Sequence, residues 1–502
     1  MSKKLLFDVH PERTKMALVE GGELIEIHIE RSKTVNIVGN IYRGRVVNLL
    51  SGMQAAFVNI GLEKNAFLYV GDMMVDKSEL VSGEAMDFPQ QLSVKEGDSI
   101  MVQVVKEQIG TKGARVSHSI SLPGRLLVLM PFVNYIGVSK KIVDESQRER
   151  LFRQVSRLKP EGMGFIVRTA AANATQKSIE NDARALLNLW MEISQRNKAA
   201  ADFEVLHFES DLIARTFRDV YTDEVTEIVV NDEKAHQRIA SILKRLMPRG
   251  RKNVVMFPRC RDMFFDYGIS EQIDNMLSHK TWLKSGAYLI IDKTEALTVI
   301  DVNTGKYVGD STLEDTVYNT NLLAAEEIAK QIRLRNIGGI IVCDFIDMDS
   351  EEHRRAVLER LDMCLKKDRI KSTVVGMSGL GLVEITRKKT RNEVTGTLTQ
   401  SCPYCNGDGY IHSLEHTVNK IFVAIINGLA SGGVTGVLVT ANSQVTDYIF
   451  RNRIFNQIKN FGWEDYRIYF STDFSLHMEK FRVKEFYTNE LDLPQNARLL
   501  TF

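Results

Sequence analysis

Two stretches in the middle of the chain decide the fold: Leu297-Thr-Val-Ile-Asp301-Val-Asn303 and Ile340-Ile-Val-Cys-Asp344. Each is a short apolar run that ends at an aspartate, which is the pattern of a buried strand. The segment between them, to about Arg335, has apolar residues at helical spacing. Strand, helix and strand in this order predict two parallel strands of an α/β sheet.

The same pattern extends outward in both directions. Ala287–Ile291 predicts a strand before it, and Thr373–Val375 predicts another after a second helix. We therefore expect a largely parallel sheet. The helix boundaries are predicted from capping residues at the starts and glycines at the end: Ser311 with Glu314, Asp349 with Glu352, and Gly338-Gly339.

The strand-end aspartates suggest chemistry. Parallel strands bring Asp301 and Asp344 to one sheet edge, with Asn303 two residues further on. These oxygen ligands suit Mg²⁺ held together with waters, although two solvated aspartates closing two strands would give the same pattern. Asp347 and Asp349 could add a ligand or cap the next helix, and we favour capping.

Composition narrows the class of protein. The 502 residues carry 65 Lys and Arg against 64 Asp and Glu, a net charge of +1. A nucleic-acid-binding protein usually has a basic excess, so any such site must be local, with a shallow dependence of binding on salt. No run approaches the ~20 apolar residues of a membrane span. Five cysteines and no signal-peptide core indicate a reduced, cytoplasmic protein.

A cysteine pair near the C-terminal end has metal-site spacing. Cys402-Pro-Tyr-Cys405 precedes Asn-Gly-Asp-Gly409, and two thiolates so spaced can hold half of a tetrahedral Zn²⁺ site. His412 and His416 could complete it within the chain. Alternatively, the same two cysteines of a second subunit could complete it, or the pair could be free and reduced.

The N-terminal part predicts short strands. Glu20-Gly-Gly-Glu23 predicts a hairpin turn, and frequent glycines over residues 36–118 predict a small barrel. Within that barrel Phe57, Phe67, Lys106 and Lys112 could bind a single-stranded nucleic acid by stacking and charge. Periodicity alone favours the other interpretation, in which both phenylalanines belong to the core and the lysines form a solvated face. A basic run over 387–391 is a further candidate for binding.

Several segments together carry a resemblance to a known family. Residues 44–61 and 66–68, with Val94–Asp98, resemble an S1-like OB domain. The segments containing Asp301, Asn303 and Asp344, and then 381–387 and 402–405, resemble the ribonuclease E/G family. The similar segments occur in the same order over nearly the whole chain. The sequence of residues 379–388 is most similar to the G branch of that family.

The resemblance implies a multidomain architecture of α/β and β folds. An RNase H-like fold is interrupted by an S1-like barrel and a 5′-sensor region, and a DNase I-like catalytic domain, a zinc-link and a small C-terminal domain follow. The implied boundaries are 1–35 with 214–277 (RNase H-like), 36–118 (S1-like OB), 119–213 (5′ sensor), 278–398 (catalytic), 399–416 (zinc-link) and 417–502 (small oligomerisation domain).

The resemblance also implies a function. Members of the family cut single-stranded, often A/U-rich RNA and leave a 5′-phosphate, in rRNA 5′-end maturation and mRNA decay. By the resemblance Asp301 and Asp344 hold Mg²⁺ with support from Asn303, and Phe57, Phe67 and Lys112 contact RNA. A non-catalytic RNA-binding scaffold and a metal-dependent DNA nuclease are the competing hypotheses.

A second implied site senses the 5′ end of the substrate. Arg168 and Thr169, with backbone from Gly124 and Val128, match the family's pocket, and an Arg fork suits a terminal monophosphate. Gly379-Leu380 stands where the E branch of the family carries Arg-Phe, so the support that this arginine would give to the pocket is missing. Finally, the resemblance implies that Cys402 and Cys405 share one Zn²⁺ between two subunits of a homo-oligomer, a dimer or a tetramer.

Overall fold

A computed structural model of the chain describes residues 2–31, 37–50, 52, 55–69, 80–81, 94–108, 113–246, 253–305, 312–389, 393–430, 432–455, 466–488 and 492–500. Lys112, Ser311 and Arg391 lie outside these residues. The chain divides into two compact units, Met1–Thr397 and Leu398–Phe502. In the described part, no helix combines the length and the apolar character that a bilayer crossing requires.

The described strands, in chain order, are β1 Lys3–His10, β2 Arg13–Glu20, β3 Glu23–Arg31, β4 Ile41–Leu50, β5 Ala55–Asn59, β6 Ala66–Tyr69, β7 Leu80–Val81, β8 Ser99–Lys106, β9 Arg115–Ser117, β10 Leu122–Pro123, β11 Leu127–Met130, β12 Ile136–Ser139, β13 Gly164–Val167, β14 Val205–His207, β15 Val225–Val230, β16 Asn253–Met256, β17 Lys280–Trp282, β18 Tyr288–Lys293, β19 Leu297–Asn303, β20 Gly339–Asp344, β21 Ser372–Met377, β22 Leu382–Arg387, β23 Gly436–Ala441, β24 Arg467–Thr472, β25 Phe481–Phe486 and β26 Arg498–Leu499.

The described α-helices are α1 Glu145–Ser156, α2 Gln176–Ala199, α3 Leu212–Arg215, α4 Glu233–Leu246, α5 Met263–Asp266, α6 Ser270–Leu277, α7 Leu313–Leu334, α8 Glu351–Leu365, α9 Val394–Leu398, α10 Leu414–Leu429 and α11 Ser443–Arg451. The chain also forms a short 3₁₀ turn over Thr169–Ala171 and a π-helical turn over Thr216–Val220.

The first sheet joins distant parts of the chain. Its order is β16-β15-β1-β2-β3, with β1 parallel to β15 and antiparallel to β2. The predicted hairpin between β2 and β3 is confirmed: Gly21 and Gly22 form its turn at φ of 59° and 88°. Both glycines have the positive φ that a tight two-residue hairpin turn requires.

The second sheet is a small barrel, as predicted. Strands β4, β5, β6, β9 and β8 follow one another, and pairing of β4 with β8 closes the ring. Gly44 of β4 is buried, and a Cβ there would lie 2.5 Å from Val58 Cγ1. Only glycine therefore allows this close approach of the two strands. Strand β14, from residues far outside the barrel segment, pairs with the start of β4.

The third sheet, β10-β11-β13-β12-β7, packs against α1 and α2 around a core that includes Leu151, Phe165 and Trp190. Its edge strand β7 comes from the stretch of sequence assigned to the barrel. The short strands β7 and β14 thus each pair across the sequence boundaries drawn from the resemblance.

The fourth sheet has the order β17-β18-β19-β20-β22-β21 and carries the strand-end aspartates. The predicted parallel pair, β19 with β20, is confirmed. The prediction of a largely parallel sheet is wrong, because the other four pairings are antiparallel. On one side, β17, β18 and β19 follow one another as antiparallel neighbours. On the other side, β21 occupies the edge, and β22 turns back from it and inserts antiparallel beside β20.

The helices flanking this sheet begin and end near the predicted positions, with different capping residues. Thr312 caps α7 by accepting a hydrogen bond from Asp315 N, and Ser350 caps α8. The predicted cap at Asp349 is therefore wrong. Helix α7 ends at Leu334, and Asn336 takes the left-handed conformation at φ 54°. Asn336, and not Gly338-Gly339, supplies the turn that stops the helix.

The C-terminal unit contains a four-stranded sheet of its own, β25-β23-β24-β26. Strands β23 and β24 are parallel and are joined through α11, while β25 and β26 pair antiparallel at the edges. Helices α10 and α11 bury their apolar faces on this sheet around Ile425, Val439 and Phe470.

A buried ion pair fixes the end of β22. Arg387 Nε donates to Asp368 Oδ2 at 3.0 Å, and its Nη1 donates to Ile337 O at 2.6 Å. Both charged side chains are almost fully buried. Arg387 therefore ties β22 to the segments that follow α7 and α8, and as a buried residue it does not contribute to the basic run that is a candidate for binding nucleic acid. Lys388 and Lys389, by contrast, are exposed.

Replacing Arg387 by Met should destabilise the N-terminal unit by about 3–5 kcal/mol, because the Asp368 carboxylate would stay buried without its partner. Urea unfolding followed by circular dichroism measures the change. Lys388→Met is the matched control, since it removes a neighbouring exposed charge and should shift the unfolding midpoint little. An equal effect of the two substitutions would contradict the account of this ion pair.

Candidate functional site

The two strand-end aspartates lie side by side. Strands β19 and β20 pair in register from Leu297 opposite Ile340 to Asp301 opposite Asp344. Direct partners on adjacent strands share one face of the sheet and stand about 4.8 Å apart. Both carboxylates are exposed. The sequence prediction that these two residues meet at one place is confirmed.

The alternation of the strands explains why the carboxylates face outward. Ile300, Val302 and Cys343, their neighbours in sequence, are buried in the core between the sheet and helices α7 and α8. Successive side chains of a strand point to opposite faces. Asp301 and Asp344 therefore lie on the face that these helices do not cover.

Asn303 orients the first carboxylate. Its Nδ2 donates a hydrogen bond to Asp301 Oδ2 at 2.7 Å. The amide thus holds one oxygen of Asp301 and leaves the other oxygen available. In this arrangement Asn303 positions the carboxylate, and the two aspartates supply the negative charge of the site.

The donor set fits a hard divalent cation. Mg²⁺ is usually held by one or two carboxylates and keeps several waters, and two exposed carboxylates in register offer that arrangement. Across the residues that the structure describes, three or more His, Cys, Asp or Glu side chains are nowhere grouped so that they could hold a metal. An ion at this edge would depend on Asp301 and Asp344, and Asp347 and Asp349 do not enlarge the group.

A row of side chains crosses the barrel and brings the predicted barrel residues together. Asn48, Phe57, Phe67, Arg115 and Lys106 are successive partners on β4, β5, β6, β9 and β8. The two phenylalanine rings contact edge to face, with centroids 5.7 Å apart. Both rings are partly exposed, whereas their neighbours in sequence, Ala56, Val58 and Leu68, are buried.

The row adds one residue that the sequence pattern did not single out. Arg115 lies between Phe67 and Lys106, with its guanidinium carbon 6.0 Å from the centroid of the Tyr69 ring. Its position between buried Ala114 and Val116 is the alternation signal that could have identified it. Together these side chains combine aromatic surface with positive charge, as single-stranded nucleic acid requires.

The four residues of the predicted 5′ pocket also lie together. Val128 of β11 pairs with Ile166 of β13, and Arg168 follows the end of that strand. Arg168 Nη1 donates to Gly124 O at 2.6 Å. Thr169 Oγ1 lies 3.0 Å from Ser139 Oγ. The Arg168 guanidinium therefore contacts the backbone of Gly124, and the hydroxyl group of Thr169, the next residue in the chain, contacts that of Ser139.

Two carboxylates hold this pocket in place. Asp182 Oδ2 accepts hydrogen bonds from the backbone N–H groups of Leu126 and Leu127, both at 2.9 Å. Asp219 Oδ1 accepts from Arg168 Nη2 at 2.8 Å. Neither carboxylate was identified from the sequence, because each acts over more than 50 residues of chain.

Asp219 belongs to a chain of charges. Arg218 donates both to Asp219 and to Glu209, so that two arginines and two carboxylates alternate behind the pocket. Burial raises the pKa of the Asp219 carboxyl, but the guanidiniums of Arg218 and Arg168 outweigh burial, and the net pKa lies below its usual range. Asp219 is therefore ionised at neutral pH. Asp219 and Gly124 O each accept one hydrogen bond from Arg168, and together they fix the directions of two of its five N–H donors.

The cysteine pair lies in a tight turn of the C-terminal unit. Gly409 N donates to Cys405 Sγ at 3.3 Å, and Asn406, Gly407 and Gly409 all have positive φ. Backbone N–H groups of Cys405 and then Tyr404, followed by the Cys405 thiol, lower the pKa of the Cys402 thiol. These contacts favour a thiolate, which is the form that binds Zn²⁺.

The histidines have other partners in this structure. His412 Nδ1 lies 3.2 Å from Lys420 Nζ, and its backbone N–H donates to Glu479. The ring of His416 contacts that of His412 with centroids 4.8 Å apart. As at the carboxylates, the described residues contain no group of three metal ligands here. The structure therefore does not bring the two histidines and the two cysteines together as a zinc site within one chain.

These features define a multidomain α/β protein with a small five-stranded barrel and a carboxylate pair on an open sheet face. The sequence profile of the ribonuclease E/G family matches residues 121–390. The chain is 43% identical over 430 residues to ribonuclease G of Escherichia coli (strain K12), covering 85% of this chain and 88% of that protein. It belongs to the ribonuclease E/G family.

Two other relatives extend the comparison. Ribonuclease G of Haemophilus influenzae is 40% identical over 451 residues, which cover 89% of this chain and 91% of that protein. Ribonuclease E of Synechocystis sp. (strain PCC 6803) is 37% identical over 395 residues, covering 77% of this chain and 57% of that protein. The similarity thus spans both named branches of the family.

Proposed function

We propose that this chain is a Mg²⁺-dependent endoribonuclease whose catalytic metal is bound by Asp301 and Asp344. Membership of the ribonuclease E/G family makes it an endoribonuclease; the metal and the roles of the residues are the proposal. The observation that carries it is the direct pairing of Asp301 with Asp344 across two parallel strands.

The residues of the proposed site have distinct roles. Asp301 and Asp344 supply two negative charges at one point of an exposed sheet face, and the hydrogen bond from Asn303 fixes the direction of one of them. When bound there, Mg²⁺ supplies an activated water and neutralises charge that develops on a phosphodiester. The barrel row of Phe57, Phe67, Arg115 and Lys106 is proposed to bind single-stranded RNA by stacking and charge.

Substituting Asp301 or Asp344 by Asn should abolish cleavage of a short A/U-rich RNA and leave its binding within a few fold of the unaltered chain, because the barrel residues remain. Cleavage assays with gel electrophoresis and binding by fluorescence anisotropy measure the two properties. Asp292→Asn is the matched control: Asp292 is an exposed carboxylate on the adjacent strand that pairs with His279.

Normal cleavage by Asp301→Asn or Asp344→Asn would contradict the proposal. RNA binding without cleavage by the unaltered chain in Mg²⁺ would support the scaffold hypothesis instead. Cleavage of an all-deoxy oligonucleotide in place of RNA would support a DNA nuclease.

The substrate class follows from the family likeness and is part of the proposal. We infer single-stranded A/U-rich RNA, products that carry a 5′-phosphate, and roles in rRNA 5′-end maturation and mRNA decay. The proposed location is the cytoplasm. We also propose, from the family resemblance, the identities of the domains: RNase H-like, S1-like, 5′-sensor, DNase I-like, zinc-link and small oligomerisation domain.

The pocket at Arg168 is proposed to prefer RNA with a 5′-monophosphate. Gly124 O and Asp219 use two of the guanidinium donors, and the remaining donors with the Thr169 hydroxyl could bind the terminal phosphate. Asp219 also competes with that phosphate for Arg168. We therefore expect a moderate preference for 5′-monophosphate.

Arg168→Gln should reduce the ratio of cleavage rates for 5′-monophosphorylated and 5′-hydroxyl RNA by about tenfold, because a charge-assisted hydrogen bond is worth ~1.5–3 kcal/mol. The rate on 5′-hydroxyl RNA should change little. Arg153→Gln removes an exposed arginine of α1 in the same region and should leave the ratio unchanged. An unaltered ratio in Arg168→Gln would reject the pocket.

The cysteine pair is proposed to share one Zn²⁺ with the same pair of a second chain. The thiolate-favouring turn supports metal binding, and two ligands per chain support sharing. Cys402→Ser should lower zinc content from one ion per two chains to none and shift dimers to monomers in analytical ultracentrifugation. Cys260→Ser, at an exposed lone cysteine, is the control. One zinc per chain would contradict sharing.

A further inference from the structure

An aromatic and cationic cluster lies on the open face of the catalytic sheet. Trp282 and Lys280 belong to the edge strand β17, and Tyr288 belongs to β18. The two rings contact edge to face with centroids 5.2 Å apart. Lys280 Nζ lies 3.6 Å from the centroid of the Tyr288 ring and 4.0 Å from that of Trp282.

The strand register places this cluster beside the carboxylates. One transverse row is Trp282, Tyr288 and Asn303, and the next is Lys280, Ile290, Asp301 and Asp344. Partners in such rows share one face of the sheet. Trp282 and Lys280 are two strands from β19, so their backbones lie about 10 Å from those of Asn303 and Asp301.

The ring of Trp282 is exposed in an unusual setting. The residue as a whole has 57% of its surface accessible, although a tryptophan normally buries most of its area. Lys280 Nζ lies against one face of each ring, a cation–π arrangement that restricts both rings while Trp282 stays more than half exposed. The cluster thus presents a fixed aromatic surface next to a positive charge.

We propose that Trp282, supported by Tyr288 and Lys280, is a base-stacking subsite that positions RNA at the catalytic carboxylates. The occupant is an unpaired base within about two nucleotides of the scissile phosphodiester, a reach that matches the 10 Å separation. Lys280 contacts the adjoining phosphate. This inference rests on the proposed function, because it assumes that Asp301 and Asp344 mark the cleavage point.

Charge and chemistry favour RNA over a protein occupant of this face. Two acidic side chains lie on the same face as an exposed aromatic ring and a cation, and an extended nucleotide offers a base, a phosphate and a metal-binding phosphodiester in matching order. A second copy of this chain would instead bring its own carboxylates towards Asp301 and Asp344. We therefore treat a subunit contact as an outcome that the test must detect.

Intrinsic fluorescence provides a direct test. The chain has three tryptophans; Trp190 is buried in the third sheet's core, and Trp463 lies outside the described residues. A ten-nucleotide A/U-rich RNA added to the full chain carrying Asp344→Asn should quench tryptophan emission. Trp282→Phe in the same background should remove most of that quenching while retaining most of the affinity.

Trp282→Ala should weaken RNA binding about tenfold, the effect of losing one stacked base. A set of RNAs is prepared in which each lacks one base. Removal of the base that stacks on Trp282 should weaken binding to the parent chain but not to Trp282→Ala. Phe265→Ala is the matched control, because Phe265 is 72% exposed on α5 and outside this sheet. It should leave affinity unchanged.

Equal RNA affinity of the parent and Trp282→Ala would overturn the subsite, and so would a loss of dimers in Trp282→Ala with RNA binding intact, which would mark a subunit contact. Failure of the proposed function is separate: it would appear as RNA cleavage by the Asp344→Asn chain. In that case the quenching experiment would still report whether a base stacks on Trp282.

Discussion

The parallel pairing of β19 with β20 is the constraint on which the proposed active site depends. Helix α7 returns the chain to the end of the sheet at which β19 began, so that β20 runs parallel to β19. Two residues 43 positions apart in sequence, Asp301 and Asp344, therefore become direct neighbours. The buried Ile300, Val302 and Cys343 fix which face each strand presents. A one-residue slip of either strand would move its aspartate into the core, so the packing of α7 and α8 maintains the register of the site.

Strands on both sides of β19 and β20 complete the surroundings of the carboxylate pair. Arg387, buried with Asp368, holds β22 against the far side of β20. On the near side, β18 and β17 carry the ring of Tyr288 and the exposed Trp282. The carboxylate pair thus lies between a strand anchored by a buried ion pair and a short edge strand that presents an aromatic surface. At the Arg168 pocket, Asp219 and Asp182 likewise orient groups that are far from them in sequence.

Local patterns predicted some of this well. The strand, helix and strand around Asp301 and Asp344 are encoded by adjacent segments, and so the meeting of the two residues could be deduced. The insertion of β22 between β20 and β21 could not, because no local pattern states that β21 will leave a position beside β20 for the strand that follows it. Arg387 appeared to belong to a solvated basic run, since its partner Asp368 lies 19 residues away. Trp282 gave no signal, because a lone aromatic in a three-residue edge strand is ordinary in sequence. The cap of α8 fell at Ser350, one residue from the prediction, because capping depends on local backbone geometry.

Counting bound divalent ions tests the central claim most directly. Titration of the full chain with Mn²⁺, followed by electron paramagnetic resonance of the free ion, measures occupancy without requiring cleavage. The account predicts one site per chain that Mg²⁺ displaces and that disappears in Asp301→Asn and in Asp344→Asn. An unchanged number and affinity of sites in both variants would contradict it.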